Sequence, residues 1–387
     1  MRVMISCGEP SGDLYAGALA AEILRLDPSA YVTGFGGDRL RAAGATLIAN
    51  FSGLSVTGIS EAARVLPRAY AAYRRLIVHA EAARPDVLVA VDFPDFNFVL
   101  AKALKKRRIP VIYYISPQLW AWRPGRLKTM RRVADLVLVI FKFEEAIYRN
   151  AGVPVQWVGH PLLDVMQTVS PRQYFLARLG LTPDEPVIAL LPGSRRNEVR
   201  AILPGLVAAA ALIRERVPAA QFVLARAPRL PDELFGPVDA LAQSGRVARV
   251  EGVTDEVLAT ADIALIASGT ATVQAALHEC PMVVVYRLSP FTYYLGRPFV
   301  HVNTFAMANL VAGRQVVPEL IQDEFTPQAV AQRALELLLD DTVRARVRAD
   351  LRAVKAQLGE PGASRRAAQA VLEVGSQQRA GSPSARL

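Results

Sequence analysis

The stretch VIALLPGSRRNEVR, from Val187 to Arg200, decides the fold. Its first part, Val187 to Leu191, is wholly apolar, and a short apolar run bounded by turn residues is typical of a strand buried on both faces. Pro192 and Gly193 end this strand, and the residues that follow favour a helix. The sequence therefore predicts a strand–turn–helix unit, which is the building block of a parallel α/β fold.

The turn of this unit also has the composition of an anion site. Gly193 would let the backbone approach a ligand, Ser194 offers a hydroxyl, and Arg195 offers a guanidinium. The free N–H groups and the positive dipole end of the helix would point into the same space. We predict that the turn binds a phosphate or diphosphate, although an ordinary strand-to-helix turn would also account for these residues.

A second stretch repeats this pattern farther along the chain. The apolar run from Asp262 to Ala267 is followed by Ser268, Gly269 and Thr270 and then by a predicted helix to about Glu279. Two such turns in one parallel sheet would place their helix ends side by side at its carboxyl edge, where open α/β sheets bind nucleotides. One turn would hold a diphosphate and the other a sugar or ribose.

Length and charge set the class of protein. A chain of 387 residues with 52% apolar and 21% charged residues predicts two domains, or three, with large cores. Its net charge of +10 suits an anionic partner, which is a nucleic acid, an acidic membrane surface or a phosphorylated substrate. Cys7 and Cys280 form no disulfide framework, which fits a reducing cytosol, and the four histidines lack zinc spacing.

The amino terminus and the hydropathy pattern bear on location. The opening residues, MRVMISCGEPSGD, have too short an apolar part for an export signal. No uncharged apolar run reaches the roughly 18 residues of a transmembrane helix. We therefore expect a protein that is soluble or bound peripherally to a membrane.

Predicted strands and helices alternate throughout, which indicates two Rossmann-like domains with parallel sheets that face across a cleft. The predicted domains are residues 1–168, residues 169–345, C-terminal helices at 346–374 that return to the first domain, and a disordered tail at 375–387. A dinucleotide oxidoreductase would have the same element order. However, the first turn reads G-E-P-S-G-D rather than G-x-G-x-x-G, which counts against NAD or FAD in the first half.

Seven motifs follow one another along the chain: CGEPSGD (Cys7–Asp13), VDFPDFN (Val91–Asn97), SPQLWAWRPGR (Ser116–Arg126), VGHPLLD (Val158–Asp164), LLPGSRRNEV, ASGTAT and CPMVVVYR (Cys280–Arg287). In both order and spacing they resemble the motifs of the lipid A disaccharide synthase family. The resemblance covers about residues 2 to 370. It implies the GT-B fold and an inverting glycosyltransferase that condenses UDP-2,3-diacylglucosamine with 2,3-diacylglucosamine 1-phosphate (lipid X). It also implies action at the cytoplasmic face of the inner membrane, with no cofactor and no metal.

The resemblance assigns catalytic roles to two residues. Inversion at the anomeric carbon needs a base for the acceptor hydroxyl and stabilisation of the leaving diphosphate. Asp92, at the end of a predicted strand, matches the aspartate proposed as catalytic in the family, and Asp95 is the local alternative. An aspartate after a strand is often only a helix cap. Arg195 matches the essential arginine and is expected to neutralise the diphosphate.

The resemblance also predicts the substrate contacts. For the UDP donor they are Gly193, Ser194, Arg195, Ser268, Gly269, Thr270, Gln274 and Asn309, and for the acceptor loop they are Glu9, Ser11 and Asp13. Gln274 departs from the family, which usually has a glutamate there for the ribose hydroxyls, and an amide accepts a weaker hydrogen bond than a carboxylate does. A buried asparagine such as Asn309 is otherwise a turn former, and the acceptor-loop residues also suit a capped turn.

The expected partners are the two lipid substrates and the anionic inner-membrane surface, with no nucleic acid, and a homodimer is left open. Ile59, Ala63, Leu66, Tyr70, Tyr73 and Ile77 recur at helical spacing in a region that touches the membrane in the family, although a core helix would show the same stripe. Pro67 predicts a break in that helix or the start of a new one. The competing functions are another GT-B transferase that uses a UDP-sugar, a UDP-sugar 2-epimerase, and a non-enzymatic binding module.

Overall fold

The computed structural model describes residues 1–51, 59–117, 119, 124–242, 246–287 and 304–380. These residues form two compact units. The first unit contains the chain up to Val165 and again from Leu358 onward, and the second contains most of the chain between Met166 and Gln357.

The first unit is built on a sheet of seven parallel strands. The strands are β1 (Arg2–Cys7), β2 (Tyr31–Gly36), β3 (Thr46–Asn50), β4 (Val87–Val91), β5 (Val111–Tyr114), β6 (Leu136–Val139) and β7 (Val155–Trp157). Their order across the sheet is β3-β2-β1-β4-β5-β6-β7. Every residue of β4 is buried, as expected for a central strand that helices cover on both faces.

Seven helices of this unit lie before Met166 in the described part of the chain. They are α1 (Pro10–Leu26), α2 (Asp38–Ala42), α3 (Ile59–Ala83), α4 (Pro94–Lys105), α5 (Leu127–Val133), α6 (Lys142–Asn150) and α7 (Leu162–Val165). The apolar faces of α3, α4 and α5 pack on one side of the sheet in a single core around Leu76, Leu104 and Tyr113.

The second unit repeats this architecture with six parallel strands. Its strands are β8 (Val187–Leu191), β9 (Gln221–Arg226), β10 (Val247–Glu251), β11 (Ile263–Ala267), β12 (Met282–Tyr286) and β13 (Glu319–Ile321), in the order β10-β9-β8-β11-β12-β13. Its helices are α8 (Arg172–Arg178), α9 (Arg196–Arg216), α10 (Asp239–Ala242), α11 (Thr254–Thr260), α12 (Thr270–Leu277), α13 (Met307–Ala312), α14 (Pro327–Leu339) and α15 (Asp341–Gln357). The predicted α/β chain with two parallel, Rossmann-like sheets is confirmed.

Each sheet has one point at which the strand order reverses, between β1 and β4 in the first and between β8 and β11 in the second. Open α/β sheets bind ligands beside such a point, outside the carboxyl ends of the strands. In the first sheet, Gly8 and Glu9 with the first turn of α1 follow β1, and Asp92 follows β4. In the second sheet, the turns at Gly193 and Ser268 do so, and β8 and β11 are direct neighbours as predicted.

The C-terminal helices differ from the prediction. Helix α15 was expected to return to the first domain, but it packs on α12, α13 and α14 through Val347, Leu351 and Val354 and so belongs to the second unit. The chain rejoins the first unit from Leu358 onward, where helix α16 (Ala363–Ala380) packs on α1. The amide N–H of Ser364 donates to Asp164 at 2.7 Å and anchors this return.

The predicted disordered tail is wrong for its first residues. Helix α16 continues through Gly375 to Ala380. Gly375 is buried against Met1, since an added Cβ there would lie 2.6 Å from the sulfur of Met1. Contact with the start of β1 therefore stabilises the last turns of α16. Residues 381–387 of the predicted tail lie outside the described part of the chain.

Candidate active site

Asp92 lies in a strained corner at the carboxyl end of β4. Its φ angle is 43°, and that of the next residue, Phe93, is 48°. Two successive non-glycine residues in the left-handed region are uncommon, and each such residue costs about 1–3 kcal/mol. Backbone strain of this kind clusters at functional sites, where the surrounding structure must maintain it.

Two side chains hold this corner in place. The carbonyl of Asp92 accepts hydrogen bonds from Asn97 Nδ2 and from Tyr113 Oη, both at 2.8 Å. Asn97 is fully buried, and its Nδ2 also donates to the carbonyls of Ser6 and Val91, while its Oδ1 accepts from Ser6 Oγ at 2.6 Å. Asn97 therefore ties β1 and β4 together beneath Asp92. The sequence analysis missed this role, although Asn97 ends the motif VDFPDFN.

Asp95, the alternative to Asp92, is a surface residue. Its side chain is 80% exposed and forms an ion pair with Arg126 at 2.7 Å. An exposed ion pair of this kind contributes only about 0–1 kcal/mol. This environment suits a surface contact on α4 better than a catalytic base.

The three predicted site residues after β1 lie in different surroundings, and the predicted turn is already helical from Pro10. Glu9 is the N-cap residue of α1, and both Glu9 and Ser11 are partly exposed. Asp13 is 4% exposed, and its carboxylate accepts hydrogen bonds from the backbone N–H groups of Gly37, Arg39 and Leu40 at 2.7–3.2 Å. The Asp13 carboxylate therefore satisfies the N-terminal N–H groups of α2, and its contact with the acceptor stays a prediction.

Gly8 connects this loop to the Asp92 corner. A Cβ at Gly8 would lie 2.2 Å from the ring of Phe93, which no side chain can tolerate. The ring of Phe93 thus packs directly on the backbone of Gly8. The loop after β1 and the corner after β4 are therefore held together at the point where the strand order of this sheet reverses.

His160 is a buried loop histidine rather than a base. Its Nδ1 accepts the backbone N–H of Leu162 at 3.2 Å, and its ring packs against Tyr15 and Phe141. Burial lowers the pKa of His160 to about 3. At neutral pH the ring is uncharged and a poor proton acceptor.

This burial predicts a pH dependence of stability. Between pH 6.5, the ordinary pKa, and about pH 3, the unfolded chain binds a proton that folded His160 does not. The stability from neutral His160 is therefore present above pH 6.5 and is lost by about 1.4 kcal/mol for each unit the pH falls. His160→Gln should show a smaller drop in unfolding midpoint from pH 7 to pH 5 than the parent chain. An equal drop in both proteins would contradict the assignment.

In the second unit, the turn after β8 already contains an anion. Glu198 reaches back from α9, and its Oε2 accepts the backbone N–H groups of Ser194 and Arg195 at 3.1 and 3.2 Å. Its Oε1 accepts from Arg195 Nη1 at 2.9 Å. The carboxylate of Glu198 thus accepts both N–H groups and fills the space beside Gly193, and the binding of a phosphate at this turn stays a prediction. Arg195 still offers its guanidinium at this edge.

The turn after β11 matches the prediction more closely. Gly269 has a φ angle of 156° and, like Thr270 at the first position of α12, is exposed. The hydroxyl of Ser268 donates to the carbonyl of Phe305 at 3.1 Å. This bond fixes the position of the Ser268 side chain at the start of the turn. The exposed helix end that follows is suited to bind an anion or a polar ligand.

Asn309, whose contact with the nucleotide stays a prediction, is buried and hydrogen-bonded within the second unit. It is 1% exposed, its Oδ1 accepts the N–H groups of Val316 and Val317, and its Nδ2 donates to Val317 O and to Glu319. These bonds use all of its hydrogen-bonding capacity. Glu319 in turn accepts the N–H groups of Phe305 and Ala306, so Asn309 supports the segment that holds Ser268.

Gln274 is partly exposed and lies in a polar cluster at α12. The Asp255 carboxylate in this cluster accepts hydrogen bonds from the backbone N–H of Gln167 at 3.1 Å and from His278 Nε2 at 2.9 Å. Burial raises the pKa of Asp255, but these hydrogen bonds and the nearby Gln274 side chain outweigh it, so the pKa is lowered. An ionised Asp255 can only accept, so the amide N–H of Gln274 is the group that favours its charged form.

This contact reverses the simple expectation that a glutamate at position 274 would improve binding. Gln274→Glu would put a second carboxylate beside buried Asp255 and would remove one of its donors. We expect a destabilisation of about 1–3 kcal/mol, measured as a lower unfolding midpoint. The double variant Gln274→Glu with Asp255→Asn should recover most of this loss, since an amide would again face a carboxylate. An unchanged midpoint in the single variant would contradict the cluster.

Helix α3 divides the predicted apolar stripe between surface and core. Leu66 and Tyr70 are 64% and 63% exposed, whereas Ile77 is 8% exposed and belongs to the core. The side chains of Ile59 and Ala63 lie outside the described residues. The predicted break at Pro67 is wrong, because α3 runs through it from Ile59 to Ala83. Within the described part of the chain, no helix is long and apolar enough to cross a membrane.

A family model and curated relatives match this chain over nearly its whole length, and their descriptions agree. A family model described as "Lipid-A-disaccharide synthetase" matches residues 3–374. The lipid-A-disaccharide synthase of Koribacter versatilis (strain Ellin345) is 42% identical over 380 residues, which cover 97% of this chain and 98% of the relative. That of Geobacter sulfurreducens is 41% identical over 377 residues and covers 96% and 97%.

Solved structures resemble the fold at low identity. A UDP-GlcNAc 2-epimerase from Neisseria meningitidis bound to UDP-GlcNAc has a TM-score of 0.67 and 14% identity, over 96% of this chain and 100% of that one. The calicheamicin glycosyltransferase has a TM-score of 0.61 and 18% identity, over 96% and 98%. At such identities the similarity shows the fold alone.

Proposed function

This chain belongs to the lipid-A-disaccharide synthase family, and from that premise we propose that it condenses UDP-2,3-diacylglucosamine with lipid X. The products are lipid A disaccharide 1-phosphate and UDP, and the anomeric carbon inverts. The observation that carries this proposal is the Asp92 corner. Asp92 is partly buried and has a strained backbone, whose carbonyl Asn97 and Tyr113 hold beside the point where the strand order reverses.

In the proposed reaction, Asp92 acts as the general base. Its carboxylate takes the proton of the acceptor 6-hydroxyl as that oxygen attacks the anomeric carbon of the donor. The new β-1′,6 bond forms while the bond from the anomeric carbon to the diphosphate oxygen breaks, and UDP leaves with the electron pair. The strain at Asp92 and Phe93 supports this role, since such strain persists only where surrounding contacts fix one geometry.

For the donor, we propose contacts from the second unit. Arg195 stabilises the charge that develops on the departing diphosphate, which is the largest electrostatic demand of the reaction. The exposed end of α12, at Ser268, Gly269 and Thr270, and the amide oxygen of Gln274 bind the remainder of the nucleotide. Gly193 and Ser194 shape the turn that holds Arg195. In the first unit, Glu9 and Ser11 are the proposed contacts of the acceptor.

We further propose that the enzyme binds the cytoplasmic face of the inner membrane through α3 and α4. Leu66 and Tyr70 on α3 and Val99 on α4 are exposed apolar side chains, and these two helices pack together. The C-terminal half of α4 and the turn after it supply Lys102, Lys105, Lys106, Arg107 and Arg108. Basic side chains near an anionic membrane contribute about 1 kcal/mol each.

The competing function is that of a UDP-sugar 2-epimerase, because such an enzyme has a similar fold. Incubation with UDP-GlcNAc alone distinguishes the two activities. An epimerase would convert this nucleotide sugar without an acceptor, whereas the proposed transferase would leave it unchanged. Conversion of UDP-GlcNAc by the purified chain would therefore count against the proposal.

A further inference from the structure

Glu198 lies in the first turn of α9, beside the turn Gly193–Arg195, and the sequence analysis gave it no role. It is 9% exposed, and both of its carboxylate oxygens accept hydrogen bonds within the turn. Oε2 binds the backbone N–H groups of Ser194 and Arg195, and Oε1 binds Arg195 Nη1 at 2.9 Å. An acceptor is needed at all three positions, and a carboxylate is the side chain that accepts with both of its oxygens.

The packing of Glu198 makes it a fixed part of the turn. Gly193 has a φ angle of 115°, and a Cβ at this position would lie 2.7 Å from Glu198 Oε2 and 2.8 Å from Glu198 Cβ. The missing side chain of Gly193 therefore makes room for Glu198 and not for a ligand. A ligand that displaced Glu198 would have to break three hydrogen bonds and empty this close-packed space.

The hydrogen bond to Glu198 determines where the guanidinium of Arg195 lies. Arg195 is the N-cap residue of α9, and its side chain is 35% exposed. A flexible arginine at the surface has many rotamers, and ordering it opposes binding. The bond from Nη1 to the fixed carboxylate restricts these rotamers before any ligand arrives. Burial raises the pKa of Tyr286 at the carboxyl end of β12. The charge of Glu198 raises this pKa further and the charge of Arg195 lowers it, so the pair lies close to the phenol.

We propose that Glu198 is a positioning residue that acts through Arg195 and holds its guanidinium toward the diphosphate of the donor. The proposal rests on the proposed function of Arg195. It assigns the binding of the diphosphate at this turn to the arginine side chain and not to the backbone N–H groups. Glu198 itself stays in place and does not touch the substrate.

The sign of the expected effect depends on two opposing contributions. Removing the charge of Glu198 would by itself attract a diphosphate more strongly. At physiological ionic strength this long-range contribution is screened over about 8 Å, whereas the loss of a direct hydrogen bond to a charged group is not. We therefore expect Glu198→Gln to lower kcat/KM for the UDP-sugar donor, and the affinity for UDP, by about 10-fold.

The test is a double-mutant cycle on kcat/KM with Glu198→Gln, Arg195→Ala and the double variant. If Glu198 acts through Arg195, the tenfold loss disappears in the Arg195→Ala background, where the double variant should match Arg195→Ala within about twofold. A residue that merely stabilised the fold would cause the same loss in both backgrounds. That result would overturn the proposal, and so would tighter binding of UDP by Glu198→Gln.

A matched control exists in the other unit. Glu144 in α6 is 1% exposed and, like Glu198, accepts the N–H of its own N-cap residue, here Phe141. Glu144→Gln should lower the unfolding midpoint about as much as Glu198→Gln, without a tenfold change in kcat/KM. If Arg195→Ala itself retains full kcat/KM, the proposed function of Arg195 has failed. If only the coupling is absent, the positioning role of Glu198 has failed.

Discussion

Asp92→Asn is expected to lower turnover by about 10²–10⁴-fold, the range typical for loss of a general base. An amide at this position cannot take the proton of the acceptor hydroxyl. The fold should be unaffected, because the bonds from Asn97 and Tyr113 reach the backbone carbonyl of residue 92 and not its carboxylate. Steady-state turnover of the donor with lipid X, together with the circular dichroism spectrum, measures both expectations.

Asp95→Asn is the matched control for this prediction. It removes a carboxylate three residues away whose ion pair with Arg126 is exposed, so turnover should change little. Near-normal turnover in a folded Asp92→Asn variant would show that another carboxylate is the base. Glu9, at the N-cap of α1, would then be the next residue to replace.

Arg195→Ala is expected to weaken UDP binding by about 10- to 100-fold, the range for a lost hydrogen bond to a charged group. Turnover should fall with it, by about 10²–10³-fold, because the charge on the leaving diphosphate grows in the transition state. Titration calorimetry with UDP and steady-state kinetics report the two losses separately.

Arg196→Ala tests whether the effect belongs to one side chain. Arg196 is the first residue of α9 and is exposed, so it should contribute little beyond general charge. Equal losses at both positions, or the larger loss at Arg196, would mean that the wrong arginine has been assigned. A loss confined to Arg195 would agree with the fixed direction that Glu198 gives to its side chain.

Much of the fold could be predicted because the central strands are continuous apolar runs. The sequences of Val87–Val91 and Val187–Leu191 contain only apolar residues, which indicates strands of a parallel sheet with both faces covered. In the structure both strands are buried at every residue. The edge strands β3 and β13 were not predicted. β3 is partly exposed and β13 has only three residues, so neither shows a clear pattern.

The sequence predicted where the candidate site lies but not which side chains contact one another there. The turns at Gly193 and Ser268 lie at the predicted edge, yet the sequence could not show which side chains satisfy each other there. Glu198 stands three residues after the N-cap Arg195, which is the position of a capping-box glutamate, and this signal could have been used. The side chains of Asp13 and Asn309 accept hydrogen bonds from backbone N–H groups of other segments, which only the folded chain brings together.

The central claim is the identity of the reaction, and mass spectrometry of the products tests it most directly. The purified chain is incubated with UDP-2,3-diacylglucosamine and lipid X, with each substrate alone as the control. The account predicts a tetraacylated disaccharide monophosphate and an equal amount of UDP, both of which require the two substrates together. Release of UDP without the disaccharide, or no consumption of lipid X by the folded protein, would contradict it.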